Sequence, residues 1–359
     1  LFTAIAIFAA PQVLGLFSSE PRVIELGTEY LHIVAISYFF TSMSFAINFN
    51  CRAIHMLKVP TAINTLALVI NLVFNYLLIG GNLGFPAMGV AGAAFATVLS
   101  QFASAAFVLR FLRGNRVLLR LEFECPQVKT VCKIALMGLS PFLIIAFDNV
   151  LIISLNTVIQ MYGGAEADML LTCTTIVQSF MLIVTMPLGG ITSGTGAILG
   201  FNFGAGRPDR IRSAQRYITL LAVVQCSIMF LFSRTLARYF VYLFTRNDSY
   251  VELTVWAIRV YTMGIIPLAV QYEVVDGFTG MGVPSVAISL SMFRKLLYLV
   301  SVFLIPVFAG VENVFYAEVV SDFGGTTVSV IVYLLLIGRI MGRCVERAKL
   351  NGKAVEADT

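Results

Sequence analysis

The stretch KVPTAINTLALVINLVFNYLLIG, residues 58–80, decides the fold. After Lys-Val-Pro it stays apolar for about twenty residues, the length of helix that crosses a hydrocarbon core. A similar start recurs as Gly282-Val283-Pro284, in front of another long apolar run. The stretch therefore predicts a membrane-spanning helix that has a counterpart late in the chain.

Two further pairs of short matches keep the same order along the chain. Leu16-Phe17 recurs as Leu243-Phe244, and Gly89-Val90 recurs as Gly310-Val311. Each match is weak by itself, because small apolar residues are common. Three matches in one order with nearly constant spacing indicate an internal duplication.

The composition is that of a membrane protein. Hydrophobic residues make up 58% of the chain and charged residues 12%, whereas a soluble domain has about 25% charged residues. The apolar runs are continuous rather than alternating, so they predict helices and not barrel strands. Ten spans are predicted: 1–17, 30–50, 59–80, 89–112, 134–160, 167–190, 213–240, 253–276, 285–308 and 313–340.

The duplication predicts an all-α membrane protein of two repeated helical bundles. The second repeat, from about Lys129, holds six predicted helices and the first holds four, so we expect a twelve-helix protein whose first two helices lie upstream. The alternative, a ten-helix protein with a signal peptide, is disfavoured because residues 1–17 lack a basic start. The predicted parts are an N-terminal bundle (1–112), a linker (113–128), a C-terminal bundle (129–340) and a tail (341–359).

Basic residues predict the orientation in the membrane. Of the 24 Lys and Arg residues, 17 lie in or beside alternate loops, which the positive-inside rule places in the cytoplasm. We therefore expect the linker and the C-terminus inside, with Cys125 and Cys344 protected from external labels. The net charge of +5 reflects this topology, and no nucleic acid partner is expected. The six cysteines have no CxxC spacing and are expected to be reduced.

Ionisable residues inside membrane helices are costly, so they mark candidate sites. Asp148, beside Asn149 in an apolar helix, is a candidate for binding a cation or a proton; the alternative is a carboxylate satisfied by neighbouring helices. Glu273 and Asp276 share one helix face, which suits a coupling-ion site, although they could instead pair with Arg294-Lys295. No metal cluster is predicted beyond a possible Na⁺ at Asp148.

Other polar residues are candidates for lining a cavity, and hydrogen bonding between helices is the alternative for each. Glu318 and Asp322 are spaced four apart on one face. Gly196, Gly200 and Gly204 have the spacing of close helix packing. The remaining candidates are Asn64, Asn71 and Asn75 on one stripe, and Thr172, Thr174, Thr175 and Gln178 on another.

Four stretches make the chain resemble the multidrug and toxic compound extrusion (MATE) family, and the resemblance covers essentially the whole sequence. GFPAMGVAGAAFAT and GFNFGAG, which lie within the second and third stretches, are the most specific. The stretches are YLHIVAISYFF (30–40), NLVFNYLLIGGNLGFPAMGVAGAAFATVLSQ (71–101), PLGGITSGTGAILGFNFGAGRPDR (187–210) and GMGVPSVAISLSMFRK (280–295).

The resemblance implies two six-helix bundles and export of organic cations and similar compounds in exchange for Na⁺ or H⁺, without a cofactor. It implies a multi-pass protein of the cytoplasmic (inner) membrane, with the lipid bilayer as its surroundings; we expect a monomer. Gly138-Leu139, Phe147 and Asp148 match the acidic motif of one branch. The family's acid in the tenth helix would fall near Ala269, so Glu273 and Asp276 depart from its pattern.

Two alternatives remain. A flippase for lipid-linked precursors, in the same superfamily, would need several basic residues to hold a pyrophosphate, and only Arg259, Arg294 and Lys295 are candidates. An intramembrane enzyme would need a catalytic pair, and the sequence shows none.

Overall fold

Every regular element in the described part of the chain is a helix, as the continuous apolar runs predict. The computed structural model describes residues 2–15, 21–53, 58–112 and 127–357. The chain divides into two units, residues 1–126 and 127–359. Of the predicted linker, only Gln127 and Val128 are among the described residues, and Cys125 lies outside them.

Unit 1 is built around a helical hairpin. Its helices are α1 (Phe2–Phe8), α2 (Ala10–Gly15), α3 (Pro21–Val34), α4 (Ser37–Ala53), α5 (Lys58–Gly80) and α6 (Gly89–Leu112). α5 and α6 form the hairpin, which closes where the Met88 N–H donates to the Leu78 carbonyl at 2.8 Å. A Cβ at Gly92 would lie 2.6 Å from the Leu78 oxygen, so only glycine lets α6 approach α5 this closely.

Unit 2 contains the longer helices. They are α7 (Val128–Tyr162), α8 (Ala167–Gly204), α9 (Pro208–Thr235), α10 (Ala237–Val241), α11 (Asp248–Tyr261), α12 (Ile265–Gly280), α13 (Pro284–Ala309) and α14 (Tyr316–Ala357). Buried apolar residues of α7, α8, α9 and α11 to α14 form one large cluster. A second cluster joins α8, α9, α12, α13 and α14.

Eight helical spans within the described residues are long and apolar enough to cross a membrane, which makes this a multi-pass membrane protein. α3 and the part of α4 up to Asn48, bent by 56° at their junction, would make a ninth as one broken span. Within the predicted span 1–17, the described residues form two short helices, α1 and α2, of seven and six residues. Pro11 has no N–H to continue the helical ladder at this break.

The predicted span 253–276 is interrupted as well. α11 and α12 are joined by a 3₁₀ turn at Thr262–Gly264. Pro267 cannot donate to the carbonyl of residue 263, which explains why the α-helical ladder is broken there. At the other end of unit 2, α14 continues past residue 340, and Met341 and Cys344 are buried. The packed part of unit 2 therefore extends into the predicted tail.

Candidate functional site

Asp148 on α7 and Lys295 on α13 form an ion pair. The Lys295 Nζ donates to the Asp148 Oδ1 at 2.5 Å and to the backbone carbonyl of Ile144 at 2.7 Å. The Lys295 side chain is 5% exposed, whereas the Asp148 side chain is 51% exposed. One carboxylate oxygen is thus held by a buried ammonium, while half of the side-chain surface remains accessible.

Arg294, the residue before Lys295, binds two carboxylates of α14. Its Nη1 lies 3.2 Å from Glu318 Oε1 and 3.2 Å from Asp322 Oδ1. Asp322 is fully buried, and its Oδ2 has no hydrogen-bond partner among the described residues. One guanidinium therefore pairs with two carboxylates, and this triad ties α13 to α14.

Two cavities in unit 2 meet at these charged residues. Their volumes are about 410 and 480 Å³, and Asp148, Tyr272, Arg294 and Lys295 line both. The first cavity is also lined by Gln271, Asp276 and Ser291. The second is also lined by Tyr261, Tyr298, Thr175, Gln178 and Glu318. The space has the size and the mixed aromatic and polar lining of a small-molecule site.

The ionisable residues around this space are mostly acidic. Four carboxyl groups line it or pair with Arg294, against two basic groups. The carboxyl groups are those of Asp148, Asp276, Glu318 and Asp322, and the basic groups are those of Arg294 and Lys295. With all six ionised the region carries excess negative charge, and tyrosine rings offer faces that attract cations. This combination suits an organic cation with an apolar body.

Glu273 and Asp276, which the sequence placed on one face of a helix, have different surroundings in the structure. Asp276 lines the first cavity and lies beside Thr192. Glu273 is 4% exposed and points away from the cavity, toward Gln215 and Thr219 on α9. The alternative in which these acids pair with Arg294-Lys295 does not occur in the structure, because those basic groups bind Asp148, Glu318 and Asp322.

Three of the other candidates in unit 2 line a cavity, and four do not. Asp322, expected to line a cavity, is instead fully buried against Arg294, and Thr174 donates to the Leu170 carbonyl of its own helix. Thr175, Gln178 and Glu318 line the second cavity. Asn149 donates to the carbonyl of Ile145 one turn back and lines neither cavity. Thr172 likewise donates to its own helix, at the Asp168 carbonyl. In both cases the side chain satisfies its polar group locally.

The asparagine stripe of unit 1 joins helices through uncharged groups. Asn48 donates to Asn64 at 3.2 Å, and Asn75 donates to Asn71 at 2.9 Å. Asn71 also reaches Thr97 and Ser100 on α6, each at 3.5 Å. Asn64 and Asn71 line a cavity of about 430 Å³ whose described lining has no charged side chain. The stripe therefore bonds helices and borders a polar space.

Gln271 and the three tyrosines of the site were not among the candidate residues. For two of the tyrosines, their helical spacing from a charged residue could have indicated a place in the site. Tyr272 lies four residues before Asp276, and Tyr298 lies four residues after Arg294, so each shares a helix face with a charged residue. Tyr261 carries no such mark, and packing alone brings it to the second cavity.

Comparison with known proteins identifies relatives of this chain. Residues 1–77 and 145–304 match the model of the MatE family. The probable multidrug resistance protein NorM of Rhizobium meliloti (strain 1021) is 28% identical over 286 residues, which are 77% of this chain and 59% of that protein. The multidrug export protein MepA of Staphylococcus aureus (strain NCTC 8325 / PS 47) is 25% identical over 276 residues, covering 75% of this chain and 57% of that protein. The chain spans less than two thirds of either relative.

Solved structures share the fold. A MOP superfamily transporter from Pyrococcus furiosus Vc1 (DSM3638), whose reverse polarity of binding pocket suggests a different function, matches with a TM-score of 0.84 at 18% identity. The match covers 94% of this chain and 75% of that one. The outward-facing conformation of a multidrug resistance MATE family transporter matches with a TM-score of 0.83 at 20% identity, over 94% and 76% of the two chains. At such identities the likeness establishes the fold.

Proposed function

Since the chain belongs to the multidrug and toxic compound extrusion family, we propose that it is a secondary active antiporter that exports organic cations in exchange for Na⁺ or H⁺. The relatives named for multidrug resistance and export support this activity. The alternating basic loops support a position in the cytoplasmic membrane with the C-terminus inside. Members of this family are transporters and not enzymes.

The observation that carries the proposal is the half-exposed carboxylate of Asp148 at the junction of two cavities. The surrounding carboxyl groups outnumber the basic ones, so a bound cation lowers the electrostatic energy of the site. The rings of Tyr272 and Tyr298 offer apolar and cation-binding surface for the organic part. Together they favour a cationic drug over an anionic one.

A shared carboxylate couples the two fluxes. An organic cation and a coupling ion that compete for Asp148 cannot both bind there, so binding of one promotes release of the other. If the site opens alternately to each side of the membrane, the inward gradient of the ion drives the drug outward. Asp276, on the first cavity, is proposed as a second carboxylate on this path. Glu273, buried away from that cavity, is not proposed to contact the drug.

The alternative of a flippase for lipid-linked precursors needs free basic groups for a pyrophosphate. Arg294 is bound to two carboxylates and Lys295 to a third, so neither is available. Arg259 donates to the Arg234 carbonyl and lines neither cavity. These pairings favour the antiporter.

Ethidium efflux from cells that express the full-length protein tests the proposal. Sodium and proton gradients are imposed separately, each with an ionophore control. We expect outward ethidium transport that requires one of the two gradients. Efflux equal to that of cells carrying an empty vector under both gradients would contradict the proposed function.

A further inference from the structure

The ammonium of Lys295 occupies a cation site made of oxygens. Its two acceptors on α7 are a carboxylate oxygen of Asp148 and the carbonyl oxygen of Ile144, one helical turn apart. The Lys295 ammonium is therefore the counter-charge that Asp148 has in this structure.

Removal of Asp148 from Lys295 would leave the ammonium without a carboxylate partner. Lys295 is 5% exposed, and the positive charge of the preceding residue, Arg294, also acts on it. Glu318 and Asp322 are already bound to Arg294 and cannot take over without breaking the triad. The titratable and charged groups around it are Asp148 on α7, Tyr261 on α11, Tyr272 and Asp276 on α12, Arg294 and Tyr298 on α13 and Glu318 on α14.

A buried ammonium that has lost its carboxylate and lies beside a guanidinium is unfavourable inside a membrane protein. Loss of the Lys295 proton removes this unfavourable energy, since a neutral amine has no buried charge. Arginine cannot take this route, because the guanidinium does not deprotonate in proteins. A lysine at position 295 can therefore change between a charged and a neutral form, which an arginine cannot do.

We propose that Lys295 carries the proton that is exchanged for the drug, an inference that rests on the proposed function of this same site. An organic cation that pairs with Asp148 displaces the Lys295 ammonium. The N–H bond breaks, the proton passes to water in the cavity, and the neutral amine remains. When the organic cation leaves, the amine takes a proton from water and binds Asp148 again. One positive charge enters as one leaves, so the charge of the site is the same in both states.

The test measures proton release when the purified full-length protein binds tetraphenylphosphonium in weakly buffered detergent with a pH indicator. For the wild type we expect about one proton released for each cation bound, as linkage of the two equilibria requires. Lys295→Arg should release none and bind more weakly. Lys295→Met should bind about tenfold more tightly, because the internal competitor is gone, and release none. Lys58→Arg, at an exposed position in unit 1, serves as the matched control and should behave as the wild type.

Wild-type proton release from Lys295→Arg would overturn the proposal and assign the proton to another group, such as Glu273. A wild-type protein that binds neither tetraphenylphosphonium nor ethidium would instead overturn the proposed export of organic cations, and the role of Lys295 with it. A wild type that binds the cation without releasing a proton would reject the lysine mechanism alone.

Discussion

Gly280, the last residue of α12, lies directly on Gly196 of α8: a Cβ at Gly280 would be 2.9 Å from the Gly196 Cα. Gly200 faces the same point, since its Cβ would lie 3.2 Å from the Gly280 oxygen. The predicted close packing of this glycine series is therefore confirmed for Gly196 and Gly200. Gly204 has open space around its Cβ position.

The first prediction follows from this contact. Gly280→Ala should lower the free energy of unfolding by about 1–3 kcal/mol, because the methyl group meets backbone atoms that cannot move aside. Thermal unfolding in detergent measures it. Gly204→Ala is the matched control and should change stability by no more than about 0.5 kcal/mol. Equal stability of the two variants would show that the α8–α12 contact is looser than described.

The second prediction concerns the coupling carboxylate. Asp148→Asn keeps the size of the side chain but removes its charge, so gradient-driven ethidium efflux should fall to the background rate. Expression should stay near that of the wild type, since the Asp148 side chain is half-exposed and Lys295, left without its carboxylate, can lose its proton. Asp168→Asn, at an exposed acid in the first turn of α8, is the control and should transport normally. Normal efflux by Asp148→Asn would remove this residue from the mechanism.

The third prediction concerns the buried triad. Arg294→Met leaves Glu318 and Asp322 without their counter-charge and should cost about 3–5 kcal/mol of stability. Adding Asp322→Asn should recover part of the loss, because one buried charge disappears with it. Arg238→Ala removes an exposed pair with Glu252 and should cost at most about 1 kcal/mol. Denaturation in mixed micelles compares the variants, and equal losses for both arginines would argue against the triad as a structural element.

The fourth prediction concerns the orientation in the membrane and uses Cys132, not Cys344, as the labelled residue. Cys344 is buried and donates to the Phe203 carbonyl, so protection from an external label says nothing about sidedness. Cys132 is exposed near the start of α7, beside the predicted cytoplasmic linker. An impermeant maleimide should miss Cys132 in intact cells and label it after permeabilisation. Ala165→Cys, exposed in the short turn before α8, should be labelled in intact cells. The reverse pattern would invert the predicted orientation.

Local features of the sequence were enough to predict the helices and the candidate acids. Hydropathy acts residue by residue, and each apolar run must satisfy its own backbone in the membrane by forming a helix. The breaks were harder to predict. The 3₁₀ turn at Thr262–Gly264 depends on Pro267, and it also lies where Gly264 meets Asp322 of α14, since a Cβ there would be 2.6 Å from the Asp322 Cβ.

Pairing of the charged residues was decided by tertiary structure. Arg294 and Lys295 are adjacent in sequence, but consecutive helix residues point about 100° apart, so one binds α14 and the other binds α7. Glu273 and Asp276 also diverge, one toward α9 and one toward the cavity. The sequence by itself determined that these charges lie inside membrane helices, where each must find a partner. Which partner it finds depends on the packing of helices more than a hundred residues apart, as for Asp148 and Lys295, and no periodicity along a single helix encodes that.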